Sequence, residues 1–188
     1  MHTPVVSQTA TTPVRALRRS LAIGLAVLLV AASAQITVPL PLNPVPVTLQ
    51  PLAILVVGGL LGSAAGATAL VLYLALGILG LPVFAGGSAG FVHVLGPTGG
   101  YLMAFPAAAA VAGLGTRGGA GVARVLVFCF LSMALIHLGG FAHLALLSGN
   151  PGTAFQVGFM PFFTGDLLKV GLAAAVILGA GPKVRALL

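Results

Sequence analysis

"PLAILVVGGLLGSAAGATALVLYLALGILGL", residues 51–81, runs for 31 residues without a charged side chain. About 20 apolar residues suffice for one helix across ~30 Å of hydrocarbon. A stretch of 31 is therefore long for one crossing and short for two. Its reading sets the number of crossings, and so the side on which each end of the chain lies. "GSAAG" (62–66) is the natural place for a turn, which would leave two short helices, 51–61 and 65–81. Gly58, Gly62 and Gly66 stand four apart, a small-residue spacing that suits close helix packing across such a turn.

The rest of the chain has the same character. Of its 188 residues 59% are hydrophobic and only 5% charged, whereas a soluble domain carries about 25% charged residues to face water. Strands of a lipid-exposed barrel would alternate polar and apolar. "LAIGLAVLLVAA" (21–32) and "ATALVLYLALGILGL" (67–81) are apolar all round, which points to membrane helices. The length allows about five to seven of them.

Charge chooses among these counts. Arg15, Arg18 and Arg19 precede the first apolar run, Arg117 and Arg124 flank a Gly-rich gap, and Lys183 and Arg185 close the chain. With residues 51–81 divided, the spans are 16–34, 51–61, 65–81, 98–114, 122–147 and 161–181. Both termini and the 115–121 loop then share one side, with seven of the eight basic residues. The positive-inside bias makes that side cytoplasmic. The expected fold is an all-α membrane protein, a compact bundle of six transmembrane helices with both termini cytoplasmic. It would occupy residues 15–188, after a disordered Thr-, Ser- and Pro-rich tail, 1–14. The N-terminus also resembles a signal peptide, with a basic start, an apolar stretch and "ASA" before Gln35. The basic groups have no interleaved aromatics, so the net charge of +7 does not indicate nucleic-acid binding. The single cysteine, Cys129, has no internal partner and reads as packing.

Three segments fall on the outer side: 35–50, 82–97 and 148–160. Two are rich in Pro or Gly, and all exceed the 2–8 residues usual between bundle helices. A site facing outward is the inference. Its chemistry is indicated by "GDLLK" (165–169), which holds Asp166, the only acidic residue of the chain, and Lys169. At i,i+3 both project from one side of the last helix. With Pro161 in the first turn, Asp166 lies about 7.5 Å inside that helix. A mid-bilayer charge costs about 2.5–3.5 kcal/mol and normally faces a bundle interior or wet cavity. A purely structural ion pair returns only ~0.2–0.5 kcal/mol to its helix, so a ligand-binding role explains the pair better. A small amide- or urea-containing molecule would satisfy both charges. Thr48, Gln50, Thr98 and Tyr101 would add hydrogen bonds, and Phe84 with the "AGGSAGF" backbone (85–91) an apolar wall.

Several motifs support other classes. "GGSAG" (86–90) matches G-x-S-x-G, and Ser88 with His137 or His143 would make an intramembrane serine protease. Otherwise His93 reads as a loop residue and the other two histidines as helix packing. A proton-coupled secondary transporter using Asp166 as relay is the other alternative. "GLGTRG" (113–118) matches G-x-G-x-x-G, but it closes a helix and lacks the downstream acid of a dinucleotide site. No phosphate-binding P-loop, cofactor motif or metal site is expected.

The chain resembles the BioY family, the biotin-specific S components of energy-coupling-factor transporters. The matching stretches are "AQITVPLPLNPVPVTLQPLAILVVGGLLG" (34–62), "YLALGILGLPVFAGG" (73–87), "GPTGGYLMAFP" (96–106) and "PFFTGDLLKVGLAA" (161–174). The resemblance implies a six-helix protein of a prokaryotic cell membrane that captures biotin from outside. A separate transmembrane T protein and two ATP-binding-cassette ATPases would power uptake, and a homo-oligomer is left open. Asp166 and Lys169 match the family's GD-x-x-K ligand pair, with Gly99, Gly100 and Tyr101 bordering the pocket. In "AIGLA" (22–26), Ala22 and Ala26 resemble the family's small-residue contact with the T protein. Members often carry a basic residue after "FAGG" where this chain has Ser88; if that residue meets the biotin carboxylate, His93 or Lys169 would substitute here or binding would be weaker.

Overall fold

Six apolar helices lie side by side in the computed structural model, which describes residues 13–188. They are α1 (Pro13–Gln35), α2 (Gln50–Leu61), α3 (Ser63–Ile78), α5 (Gly99–Leu114), α6 (Val122–Ser148) and α8 (Phe163–Leu187). All but the last two residues of the expected disordered tail lie outside the described residues; Pro13 and Val14 open α1. Helix α5 packs between α3 and α6, α2 between α5 and α8, and α1 against α3 and α2.

The 31-residue stretch is two helices, broken at one residue rather than over a five-residue turn. Gly62 sits at φ 82°, a conformation glycine adopts without Cβ strain. Its N–H still donates to the Gly58 carbonyl at 2.9 Å, which closes the last turn of α2, and α3 restarts at Ser63. Gly58 and Gly66 have the expected use in packing, whereas Gly62 makes the break and a Cβ there would meet nothing within 4 Å. A Cβ on Gly58 would fall on the Ala109 carbonyl, and one on Gly66 on the backbone of Gly58. The backbones of α2, α3 and α5 thus meet with no side chain between them.

Among the described residues only α1, α6 and α8 are long and apolar enough to cross a membrane unaided; α2, α3 and α5 are shorter. At ~1.5 Å per residue α2 extends only about 18 Å. Short helices are tolerable where the backbone beyond them is buried in protein or lines a cavity, as it does where α2 and α5 begin. The 35–50 segment forms a small antiparallel hairpin, β1 (Thr37–Val38) with β2 (Val47–Thr48), pairing Thr37 with Thr48. Residues 82–97 fold into a 3₁₀ turn, Ala85–Gly87, and one helical turn, α4 (Val92–Leu95).

The third outer segment is not a plain loop. It contains α7 (Pro151–Gly158), capped by Asn150, whose Oδ1 accepts from the Thr153 N–H at 3.2 Å, with Pro151 in the first turn. "NPGT" carries that signal in the sequence: an N-cap Asn followed by Pro at N1. Helix α8 starts at Phe163, two residues after Pro161, so Asp166 stands in its first turn rather than about 7.5 Å inside. A carboxylate there meets the positive end of the helix macrodipole.

The basic residues gather at the opposite end. Arg15 Nε donates to the Leu188 carbonyl at 3.1 Å, Arg185 to the Gly59 carbonyl at 3.0 Å, and Arg124 to the Leu114 carbonyl at 3.2 Å. Guanidinium groups here complement the last carbonyls, the negative ends, of α2, α5 and α8. Both described ends of the chain and the 115–121 loop therefore share one face of the bundle. In α1, Ala26 is 5% exposed and belongs to the bundle core, and Ala22 is half-buried. The side that α1 turns outward is formed by Leu17, Leu21, Leu25 and Leu28.

Candidate functional site

The N-terminal ends of α2, α5 and α8 converge on one cavity of about 450 Å³, within the ~300–1,000 Å³ usual for small-molecule sites. Thr48 of β2 lines it with Gln50 and Pro51 of α2, Thr98 with Tyr101 and Leu102 at the start of α5, and Phe162 with Asp166 and Lys169 at the start of α8. Pro44, Val45 and Pro46 of the hairpin segment, and Phe84, Ser88 and His93 of the next, complete the wall. Three helix starts aim partly positive N–H groups at the same space, which favours a ligand presenting oxygen acceptors.

Asp166 is the centre of the polar wall. Its Oδ1 accepts from Lys169 Nζ at 2.9 Å, and its Oδ2 lies 2.5 Å from His137 Nε2. All three residues are at least nine-tenths buried, with Asp166 5% exposed. The ion pair that the spacing allows is present, yet it is not sealed away, because both members line the cavity. A carboxylate offers about four lone-pair sites and an ammonium three donors. Each group therefore keeps hydrogen-bonding capacity after pairing with the other.

Other bonds hold the remaining walls in place. Gln50 Nε2 donates to the Tyr73 hydroxyl at 2.7 Å, and that hydroxyl donates to the Val83 carbonyl at 3.0 Å, tying α2 and α3 to the 82–97 segment. Tyr101 donates to the Gly158 carbonyl at 2.6 Å and so fastens α5 to the end of α7. Asn43 Nδ2 reaches the Val157 carbonyl at 2.8 Å, joining the hairpin segment to the same place. Gln35 Nε2 donates to the Phe84 carbonyl at 3.3 Å and closes α1 onto the wall.

Of the residues singled out by sequence, Thr48, Gln50, Phe84, Thr98, Tyr101, Asp166 and Lys169 share the cavity wall. Gly99 and Gly100 do not line it. A Cβ on Gly99 would strike the Val94 carbonyl, and one on Gly100 the Gly139 carbonyl of α6, so both serve backbone packing. The Ser–His dyad is not formed: Ser88 Oγ donates to the Ala85 carbonyl, His143 is bonded to the Gly96 carbonyl, and His137 to Asp166. His137 is the site residue that sequence reasoning missed. It lies 29 residues before Asp166 on another helix, and no spacing rule connects the two.

The match to known proteins covers nearly the whole chain. A family model described as "BioY family" matches residues 6–186. A probable biotin transporter BioY of Pyrococcus horikoshii is 42% identical over 156 residues, 83% of this chain and 90% of that protein. The biotin transporter BioY of Thermotoga maritima is 35% identical over 162 residues, 86% of this chain and 95% of its own. The crystal structure of an S-component for biotin from an ECF-type ABC transporter superimposes with a TM-score of 0.83. It covers 94% of this chain and 95% of that one, at 24% identity, and shows that the fold is shared. On the extent of these matches, this multi-pass, all-helical membrane protein belongs to the BioY family.

Proposed function

We propose that the protein captures biotin from outside the cell as the membrane-embedded substrate-binding subunit of an ECF-type ABC transporter. The observation that carries the reading is the chain's one acidic side chain, paired with Lys169 and His137, on the wall of a cavity big enough for a vitamin. Membership of a family whose relatives are named biotin transporters supplies the ligand. Asp166 accepts an N–H of the ureido ring in a lone-pair site left free by Lys169 and His137. Lys169 turns a remaining N–H toward the ureido oxygen, which also meets the positive helix ends. Tyr101, Gln50, Thr48 and Thr98 border the ligand, and Phe84 packs on its apolar part. Energy comes from a separate T protein and two ATPases, engaged at the end of the bundle that carries the basic residues, which is cytoplasmic by the charge bias.

Isothermal titration of the purified protein with biotin tests this directly. Wild type is expected to bind saturably with one site. Asp166→Asn is expected to weaken binding about ten- to hundredfold, the range for losing a hydrogen bond to a charged group. Unchanged affinity in Asp166→Asn removes the proposed role.

A further inference from the structure

We infer that His137 is a positioning residue of this site: it donates Nε2–H to Asp166 and holds the carboxylate so that its free lone pairs face the cavity. The inference deepens the biotin reading and rests on it for the identity of the ligand. The carboxylate has two partners, and they differ in kind. Lys169 lies on α8 with Asp166, so their bond cannot fix that helix against the rest of the bundle. His137 comes from α6 and supplies the link between helices.

The surroundings favour this role over simple packing. His137 Nδ1 is the one buried side-chain nitrogen or oxygen without a hydrogen-bond partner among the described residues. Burying a bare ring nitrogen is unfavourable, and a leucine or methionine would fill the position without that penalty. The bond at Nε2 must offset it. With the proton on Nε2 the tautomer is set, because a carboxylate can only accept. The ring plane is fixed as well: Tyr101 and Phe159 lie edge-on at 6.1 Å and 5.3 Å, and Phe162 is tilted against it at 6.0 Å. Two of these rings belong to the turn that opens α8, so the imidazole sits between α6 and the segment that delivers Asp166. Tyr101 in turn is held by Gly158, and Gly140, one turn beyond His137, leaves room for its ring.

Two measurements test the inference. The first uses no ligand: nitrogen NMR of histidine-labelled protein, with the His137 signals identified by their loss in His137→Gln. An Nε2–H tautomer whose resonances shift in Asp166→Asn is expected; an Nδ1–H tautomer, or signals indifferent to that change, overturns it. The second compares biotin with an analogue methylated on the ureido nitrogen. His137→Leu is expected to lose about tenfold or more in affinity for biotin and little for the analogue. His137→Gln, which keeps a donor near the Nε2 position, is expected to recover most of the loss. Equal loss for both ligands with no recovery assigns His137 to packing and overturns the inference. Failure of wild type to bind biotin removes the functional reading instead, and the NMR result then decides the His137–Asp166 bond by itself.

Discussion

Asp166 shows what a charge needs in order to persist in an apolar bundle. It has the start of α8 behind it, Lys169 on one oxygen and His137 on the other. Removing one member of such a buried pair costs about 3–5 kcal/mol, since the partner is left uncompensated, whereas removing both costs far less. Lys169→Met is therefore expected to lower the melting temperature clearly, and the double change Asp166→Asn, Lys169→Met to restore most of it. Biotin binding should be lost in both, a pattern that thermal melts with and without ligand will show. Ser88 and His93 are polar groups that the 82–97 segment adds to the cavity wall, where the family resemblance implies a base that meets the carboxylate. Ser88→Arg is expected to tighten biotin severalfold while leaving biotin amide unchanged, as competition titrations would reveal; equal gains for both would move the carboxylate elsewhere.

At the scale of the helix, glycine decides how closely elements approach. Gly58 and Gly66 let α2, α3 and α5 meet backbone to backbone. Gly58→Val must push the Ala109 carbonyl aside, and overpacking of this kind costs typically 1–3 kcal/mol or more. A Cβ on Gly24, on the outward side of α1, meets nothing within 4 Å. Gly24→Val should accordingly stay within about 0.5 kcal/mol of wild type. Melting the two variants side by side in detergent checks the contrast, and equal behaviour would refute the packing account. Two of the short helices follow from the same economy of space: α2 and α5 begin at the cavity, where protein rather than lipid surrounds their first turns.

For the molecule as a whole, the basic end and the cavity end are opposite, and this polarity orients it. In a Cys129→Ala background, which removes a buried thiol, Leu42→Cys and Arg117→Cys place single thiols at exposed sites on the two ends. A membrane-impermeant maleimide added to whole cells is expected to label position 42 and to reach position 117 only after the membrane is opened. The reverse pattern would put the cavity on the cytoplasmic side and end the capture model.

The amino-acid sequence by itself determined the crossings, their order and the shared side of the basic ends. Hydropathy, glycine breaks and charge placement act locally along the chain, and lipid leaves a span few alternatives to a helix. Asp166 and Lys169 were legible for the same reason: a charge in an apolar run is conspicuous, and i,i+3 is a local relation. Tertiary structure alone decided which residues Asp166 meets and which glycines face a neighbour instead of the cavity. Packing set both, by bringing His137 of α6 to the start of α8 and pressing Gly100 against Gly139. It also turned Ala26 inward, because the rotation of α1 about its axis depends on the helices beside it and not on its own spacing.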